Sequence, residues 1–372
     1  MSETRATPFH ARTAVLNRHN RWHNRNGWTF ASDYGDAHFE ALAARNSAIV
    51  ADISWRWRIE IEGAQAAELL SRLMTKDVSR LEPGNALKAL WLSDQGGVRG
   101  AGVVARFGRN AFVLAASTPD IEWIGLAASQ FDVAMRDVSG EEGGIALIGP
   151  YVGAVLKAAG LEANLDALAF RKVFWRGLDV TVTRWGEQNG YEIWCRNDDA
   201  LTVWDRIAKS GVGYALVPAG LTATDILDLE RGVMRPGRDY QAAQLGSDAH
   251  PTPLSLGLEQ LIDERHSRFN GRAAWLASRA SEKMRFVGVE IDSETPPAKF
   301  SSMIHEERPV GRVTAAVFSP ALRKAIALVQ IDVAASVPGT LLKIALPPDE
   351  HGDEQATGRI VELPFLPPPA AI

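Results

Sequence analysis

Aromatic and cationic side chains alternate in one short stretch, Trp55-Arg56-Trp57-Arg58. Tryptophan combines a large apolar surface with one polar handle, so it lines sites that hold flat aromatic ligands. A guanidinium beside such a wall can steady a phenolate through a charge-assisted hydrogen bond. The chain carries 11 Trp against 5 Tyr, which favours the same kind of site. We therefore take Trp55, Arg56 and Trp57 as candidates for substrate binding. The period of two in a strand would point Trp55 and Trp57 to opposite faces, so we expect at most one of the two rings to line the site.

Two carboxylates flank a predicted tight turn further along the chain. The stretch Trp185-Gly186-Glu187-Gln188-Asn189-Gly190 ends in an Asn-Gly pair, a strong hairpin signal, and the run 191–195 completes the hairpin. A carboxylate in this position can accept a proton or bind paired N–H donors. Trp185 is a candidate substrate contact, and Glu187 and Glu192 lie on either side of the predicted turn.

Histidines are concentrated near the N-terminus, in a polar segment that we expect to be a solvated arm or a first helix. His19 and His23 lie four residues apart, which would put both on one helix face, as metal ligands can be. No carboxylate or third ligand is near them in sequence, so we predict no metal site. His23 stays a candidate base that reaches into a pocket.

Length, composition and charge exclude several classes of protein. A chain of 372 residues is too long for one ordinary core, so two or three domains are expected. A net charge of -5 gives no basic face for nucleic acid, and the apolar runs are far shorter than the ~20 residues of a membrane span. The N-terminus lacks the apolar core of a secretory signal, and the single cysteine, Cys195, fits a reducing compartment. We predict a cytoplasmic protein that acts on a small molecule, with its oligomeric state left open.

Turn signals and apolar periodicity predict the elements that must position these residues. The turns at 94–97 and 108–110 separate three apolar runs, which predicts consecutive hairpins of an antiparallel sheet. Helical stripes are predicted over 64–74, 120–130, 151–159, 199–210 and 223–232. From Arg285 onward, short alternating runs with turn signals predict a small all-β domain.

Motifs in a fixed order resemble the glycine-cleavage T-protein (aminomethyltransferase) superfamily over some 300 residues. One such motif would be weak, but eight in order make the resemblance strong. The similar motifs are Arg45-Asn46-Ser47 with Asp52-Ile53-Ser54, Thr75-Lys76-Asp77-Val78 with Leu81-Glu82-Pro83-Gly84, the hairpin from Gly96, Trp185-Gly186-Glu187 with Gly190-Tyr191-Glu192-Ile193, Leu229-Glu230-Arg231-Gly232, Phe269-Asn270-Gly271-Arg272, Gly311-Arg312-Val313-Thr314 and Phe318-Ser319-Pro320-Ala321-Leu322.

The resemblance implies an α+β fold of three domains around a central channel. Its domains would be residues 1–50 together with 145–280, residues 51–144, and residues 281–372 as a small β-barrel or jelly roll. It also implies tetrahydrofolate as the usual acceptor of a one-carbon unit. Glu192 would bind the pterin's N–H donors bidentately, with Tyr191 and Glu187 as further pterin contacts.

The departures from the family pattern concern the same site. Family hairpins read Gly-Gly-Ile-x-Asp-Asp, whereas this chain reads Gly96-Gly97-Val98-Arg99-Gly100-Ala101. Gly100 replaces the aspartate that holds the pterin and manages protons, and removing a general acid or base typically costs 10²–10⁴-fold in rate. Ala115 falls where many members have asparagine, and Thr224 and Asp228 where arginines are common. Glycine cleavage proper is therefore not expected of this divergent member.

Three hypotheses remain open from the sequence. The first is a tetrahydrofolate-dependent demethylase, similar to the O-demethylases of methoxylated aromatics or to the sulfonium demethylases of this superfamily. The second is a folate-independent lyase that expels a hydroxymethyl group as formaldehyde, using a His or Glu base and Arg56, Arg58 or Arg99 to steady a phenolate. The third, ranked last, is a non-catalytic one-carbon-binding protein, because the chain lacks the Lys-Gly-Cys-Tyr-x-Gly-Gln-Glu-like motif of such members. Arg99 joins Glu187 and His23 as candidate catalytic residues, and Gly100 joins Glu192 and Tyr191 at the cofactor position.

Overall fold

The computed structural model describes residues 4–161, 164–185, 190–243, 251–347 and 355–367. Strands make up most of the regular structure. In the described residues the strands are β1 (Arg5–Ala6), β2 (Trp22–Arg25), β3 (Trp28–Ala31), β4 (Ala48–Asp52), β5 (Trp57–Glu62), β6 (Ala86–Leu92), β7 (Val98–Arg106), β8 (Ala111–Ala116), β9 (Ala134–Asp137), β10 (Glu142–Ile148), β11 (Ala169–Trp175), β12 (Leu178–Trp185), β13 (Gly190–Arg196), β14 (Leu216–Ala219), β15 (Met284–Ile291), β16 (Ser302–His305), β17 (Arg308–Ser319), β18 (Lys324–Asp332), β19 (Leu341–Ala345) and β20 (Gln355–Val361).

Helices cover the faces of the sheets. In the same residues they are α1 (His10–Leu16), α2 (Ala37–Asn46), α3 (Ala66–Leu73), α4 (Ile121–Ala128), α5 (Val152–Ala159), α6 (Ala200–Gly211), α7 (Leu221–Glu230) and α8 (Arg272–Ser278). The five helices predicted from apolar stripes are confirmed as α3 to α7, with small differences at their ends. No helix in the described ranges has the length and apolar character to cross a membrane.

Two larger sheets and a closed barrel organise the chain, which confirms the α+β class. A six-stranded sheet runs β11-β12-β13-β10-β4-β14, and a five-stranded sheet runs β6-β7-β8-β5-β9. The predicted consecutive hairpins are confirmed, because β7 pairs antiparallel with both β6 and β8. The predicted all-β C-terminal domain is confirmed as a closed barrel, β15-β18-β17-β16-β19-β20.

Each of these units has its own apolar core. One core lies between the six-stranded sheet and helices α5 and α6, one between the five-stranded sheet and helices α3 and α4, and one inside the barrel. Separate cores are what independent domains require. The domain limits 1–50 with 145–280, 51–144 and 281–372 remain a prediction.

The N-terminal segment differs from the prediction of an arm or a single helix. After α1 the chain forms a hairpin of β2 and β3, and β1 pairs with β3 to complete a small sheet. Asn26 (φ 50°) and Gly27 (φ 76°) supply the two left-handed residues of this turn, an Asn-Gly signal in the sequence. His23 therefore lies on a strand, and the helical spacing assumed for His19 and His23 is wrong.

Candidate functional site

Strand alternation on β13 sets which side chains can meet. Tyr191, Ile193 and Cys195 face the core of the six-stranded sheet, with Tyr191 partly buried at its edge. Glu192 and Trp194 take the opposite face, because successive side chains of a strand point to opposite sides. Glu192 is 2% exposed and Trp194 is 5% exposed. The structure thus separates Glu192 from Tyr191, although both were predicted at one ligand.

Both carboxylate oxygens of Glu192 have partners from this chain. The guanidinium of Arg56 donates through Nη1 to Oε1, and the indole of Trp194 donates through Nε1 to Oε2 at 3.1 Å. Arg56 lies in the link between β4 and β5, where its backbone N–H donates to the carbonyl of Ile53 at 3.1 Å. The side chain of Arg56 is 32% exposed, whereas that of Glu192 is 3% exposed. A buried carboxylate therefore anchors a partly exposed guanidinium.

Arg58 lies one layer deeper than Arg56. Its guanidinium stacks on the ring of Trp194, 4.1 Å from the centroid, and forms an ion pair with Glu142 at 3.2 Å. Burial lowers the pKa of Arg58 from its usual value, and the charge of Glu142 acts against that shift. Its Nε and Nη1 atoms are buried and have no hydrogen-bond partner among the described residues. Arg58 thus positions Trp194, the residue that holds the second oxygen of Glu192.

Trp55 forms an aromatic wall beside Arg56. Its half-buried ring packs against the buried cluster of Trp28, Phe30 and Leu221. The guanidinium of Arg56 lies 6.0 Å from the ring centroid of Trp55, within reach of a weak cation–π interaction. Trp55, Arg56 and Glu192 are the predicted site residues that the structure brings together.

A second arginine, Arg25 on β2, approaches the same ring. Its guanidinium lies 4.9 Å from the centroid of Trp55 and donates to both oxygens of Asp225 at 2.8 and 2.9 Å. Arg235 also donates to Asp225 and to Asp228. Burial raises the pKa of Asp228, but the positive charges around it, above all that of Arg235, outweigh burial and hold that pKa below its usual range. Asp228, where the family resemblance implies an arginine, is thus paired with Arg231 and Arg235.

Trp57 does not join this group. It begins β5 and is 4% exposed, packed in the core of the five-stranded sheet with Ile59 and Ile61. Because Trp57 is buried in this core, it is a packing residue and does not line the site. His23 is exposed on β2, and Trp185 ends β12, where only its backbone pairing with Gly190 is described. Glu187 lies outside the described residues.

Gly100, on the predicted hairpin, packs directly against a buried side chain. A Cβ atom built at Gly100 would overlap the ring of Trp91, which is fully buried. The indole Nε1 of Trp91 donates to Asp120 at 2.9 Å, and Arg99 donates to the same carboxylate at 2.7 and 2.9 Å. Arg99 is therefore held by an ion pair, with its side chain 10% exposed. Neither Gly100 nor Arg99 contacts Glu192 or Arg56 in the described contacts.

The sequence analysis did not identify several residues that surround Arg56 and Glu192. Trp194 follows Glu192 by two residues in a predicted strand, so the period of two could have placed both on one face. Arg25 and Glu142 carry no such signal, because their neighbours in space are distant in sequence. Across the part of the chain that is described, no three His, Cys, Asp or Glu side chains are grouped to hold a metal ion.

A small polar cavity lies next to the aromatic wall. Phe30 and Leu221, which pack against Trp55, also line a cavity of about 10 Å³ together with Asp52 and Tyr34. Such a volume holds roughly one water-sized group. Burial raises the pKa of Asp52 to about 6, although hydrogen bonds from Ser54 to its Oδ1 lower it. Asp52 is thus a carboxylate that can hold or release a proton near neutral pH.

A larger groove of about 1020 Å³ shares no lining residue with this cluster. It runs between α3 and the segment 263–274, which includes the motif from Phe269 to Arg272. Two of its arginines, Arg80 and Arg265, are paired with Asp77 and Asp263. His266 bonds through Nε2 to the carbonyl of Ser71 at 2.7 Å, near the end of α3. The C-terminal end of α3 carries a partial negative charge, which favours positive side chains nearby. The arginines of this groove are therefore explained without a bound ligand.

Comparisons with known proteins agree with this fold. Residues 11–266 match the model of the GCVT N-terminal domain, and residues 285–366 match that of the glycine cleavage T-protein C-terminal barrel domain. The aminomethyltransferase of Pseudothermotoga lettingae is 28% identical over 315 residues, covering 82% of this chain and 84% of that protein. The aminomethyltransferase of Caldanaerobacter subterraneus subsp. tengcongensis is 30% identical over 317 residues, covering 82% of this chain and 83% of that protein.

A solved structure supports the same fold over the full length. The crystal structure of glycine cleavage system aminomethyltransferase T from Bartonella henselae superposes with a TM-score of 0.87 at 23% identity, covering 99% of each chain. At that identity the likeness concerns the fold alone. The matches to both domain models, in the order in which the motifs occur, confirm the resemblance: the chain belongs to the glycine cleavage T-protein family.

Proposed function

We propose that this protein removes a one-carbon unit from a small aromatic substrate and releases it as formaldehyde. Membership of the family supports one-carbon chemistry. The single observation that carries the choice of acceptor is the state of Glu192, whose two oxygens are held by Arg56 and Trp194. The carboxylate that would bind a pterin is therefore already neutralised by this chain.

Tetrahydrofolate fits these residues poorly in the mode that the family resemblance implies. Gly100 offers no carboxylate, and the buried ring of Trp91 fills the space that a side chain there would need. Asp228, at a position where arginine is common in the family, is occupied by Arg235. These observations, together with the pairing of Glu192, support an acceptor other than folate.

The proposed reaction is the cleavage of a hydroxymethyl group from a carbon that can carry electrons. A base takes the O–H proton, the C–C bond breaks to form the C=O bond of formaldehyde, and its electron pair passes to the neighbouring carbon. That carbon then takes up a proton, so R–CH₂OH becomes R–H and CH₂O with no change of oxidation state overall. The step needs a base, a cation near the developing negative charge and a wall for the ring.

Three residues are proposed for these roles. Arg56 would steady the negative charge and Trp55 would support the ring, since both are partly exposed and adjacent. Asp52 would act as the base, because a pKa raised to about 6 suits proton transfer near neutral pH. Its cavity of about 10 Å³ is the size of a single small polar group, and it shares Phe30 and Leu221 with the wall of Trp55.

A formaldehyde assay tests this proposal. The protein is incubated with a hydroxymethyl-bearing aromatic and with a methoxylated aromatic, each with and without tetrahydrofolate, and formaldehyde is measured. We expect release from the hydroxymethyl compound without folate, and a loss of about 10²–10⁴-fold in Asp52→Asn. Asp179→Asn, an exposed aspartate on β12, is the matched control and should keep full activity. Full activity in Asp52→Asn would show that Asp52 is not the base.

The second candidate is a tetrahydrofolate-dependent demethylase. It is favoured by the family and by the position of Glu192 on the sheet face away from the core, beside a partly exposed Arg56 that could release it. In that case saturating tetrahydrofolate should raise the melting temperature by mass action. One-carbon release that requires tetrahydrofolate would favour this candidate over the lyase.

A further inference from the structure

Arg56 compensates the negative charge of Glu192 and places a guanidinium at the accessible end of this ion pair. The carboxylate is 3% exposed, whereas the guanidinium that covers it is 32% exposed. A ligand approaching from solvent therefore meets the guanidinium first. The pair turns a surface suited to a cationic or guanidine-like edge into one suited to an anion.

The hydrogen bonds of Arg56 leave donors free for such an anion. Within the described ranges, its guanidinium makes a side-chain hydrogen bond through Nη1 alone, to Glu192. A guanidinium carries five N–H donors in a fixed planar fork, so Nε and Nη2 remain available to a carboxylate or a phenolate. Since Glu192 fixes one corner of the fork, less rotamer freedom is lost when an anion binds.

The neighbouring arginines are less suited to this role. Arg25 is held by both oxygens of Asp225, and Arg58 is 7% exposed and paired with Glu142. Arg56 thus combines exposure, free donors and an aromatic neighbour, because the ring of Trp55 lies 6.0 Å from its guanidinium. A flat anion held by the fork could lie against that ring.

We propose that Arg56 is the specificity-determining residue of this site: paired with Glu192, it admits an aromatic anion and excludes ligands with a guanidine-like edge, such as a pterin. The inference deepens the proposed function, since it names the charge of the substrate. The anionic group is a carboxylate or a phenolate, which share the same hydrogen-bonding chemistry. It predicts that removing Arg56 abolishes the preference for an anion.

Calorimetric titration of the whole protein tests both halves of the proposal. The probes are benzoate, its neutral isostere benzamide, 4-nitrophenol in its ionised and neutral forms, and pterin. The native protein should bind benzoate or 4-nitrophenolate at least about tenfold more tightly than the neutral counterpart, and should not bind pterin. Binding of benzoate alone identifies a carboxylate, and binding of 4-nitrophenolate alone identifies a phenolate.

Variants of Arg56 and Glu192 distinguish the contribution of the guanidinium from that of the carboxylate that holds it. Arg56→Ala should lose about tenfold or more in affinity for the anion, and Arg56→Ala with Glu192→Gln, which leaves no unpaired carboxylate, should also bind the anion weakly. Arg56→Gln keeps most of the side-chain volume, so it serves as a second test of the lost charge if the alanine variant folds poorly. Arg196→Gln, with a side chain 75% exposed on the same strand as Glu192, is the matched control and should behave as the native protein.

The results that overturn the proposal are equal binding of benzoate and benzamide together with equal binding of both forms of 4-nitrophenol, full anion affinity in Arg56→Ala, or pterin binding by the native protein. These titrations need no turnover. Anion binding without formaldehyde release would thus leave this inference standing and remove the proposed reaction instead.

Discussion

Trp91 occupies the space into which a side chain at position 100 would project. Its ring is fully buried, and its Nε1 is fixed by Asp120, which also binds Arg99. The ring cannot move aside without breaking that hydrogen bond inside the core. A glycine at position 100 is therefore a packing requirement of this chain, and it leaves no carboxylate where the family resemblance implies an aspartate.

Gly100→Ala should destabilise the protein. A methyl group there would overlap the ring of Trp91, and overpacking of a core typically costs about 1–3 kcal/mol. Urea unfolding should therefore show a lower midpoint with an unchanged slope. The control is Gly125→Ala in α4, where a Cβ meets no atom within 4 Å and alanine favours the helix by roughly 0.5–1 kcal/mol. Equal midpoints for the native protein and Gly100→Ala would show that Trp91 yields easily.

Helix α2 carries a buried glutamate, Glu40, which contacts the chain just before α2 and the chain just before α7. Its first turn is capped by Asp36, which accepts hydrogen bonds from the backbone N–H groups of His38 and Phe39. Glu40 is 2% exposed and accepts from the N–H of Tyr34 at 2.6 Å and of Gly220 at 2.9 Å. Burial raises the pKa of Glu40 to about 7, although these hydrogen bonds lower it.

The stability of the native protein should fall with rising pH because of Glu40. Its ordinary pKa is 4.5, so between about pH 4.5 and 7 the folded state keeps a proton that the unfolded state has lost. The contribution is full below pH 4.5 and is lost as the pH rises through 7, by about 3 kcal/mol in the free energy of unfolding. Glu40→Gln cannot titrate, so its stability relative to the native protein should improve from pH 5 to pH 8.

Urea unfolding at both pH values measures this change. Glu40→Gln should be the less stable protein at pH 5, because its amide nitrogen cannot accept one of the two backbone hydrogen bonds. Glu62→Gln, at an exposed position on β5, is the control and should follow the native protein at both pH values. A difference between Glu40→Gln and the native protein that does not change with pH would contradict the assignment.

Local signals predicted most elements but only part of the site. The hairpins and the strand alternation of β5 and β13 follow from turn residues and from a period of two, which are properties of neighbouring residues. The pair of Arg56 and Glu192 spans 136 residues, so it forms only once two sheets are packed together. Trp91 and Gly100 are cross-strand neighbours in the hairpin of β6 and β7, so their contact depends on the exact register of that hairpin. The missed hairpin of β2 and β3 is different, because Asn26-Gly27 was a local signal that could have been used.

At the scale of the whole molecule, buried hydrogen bonds connect the barrel to α2, to α7 and to the segment after α7. Glu230, at the end of α7, is 1% exposed and accepts hydrogen bonds from Arg45 on α2 and from Ser319 on β17. Thr314 on the same strand donates to Asp239 at 3.2 Å. These hydrogen bonds fix the position of α7 and of the segment that follows it. That part of the chain contributes aspartates and arginines near Trp55. The site thus depends on the packing of several parts of the chain and on no single element.

The fate of the one-carbon unit tests the account most directly. A hydroxymethyl-bearing aromatic labelled with ¹³C in that group is incubated with the protein and tetrahydrofolate, and the label is followed by NMR. We predict that the labelled substrate is lost at the same rate whether tetrahydrofolate is present from the start or withheld until after the reaction, and that the label appears as formaldehyde hydrate while tetrahydrofolate is withheld. Because formaldehyde and tetrahydrofolate combine in solution, the rate of substrate loss with folate withheld is the deciding quantity. Substrate loss only in the presence of tetrahydrofolate would contradict the account.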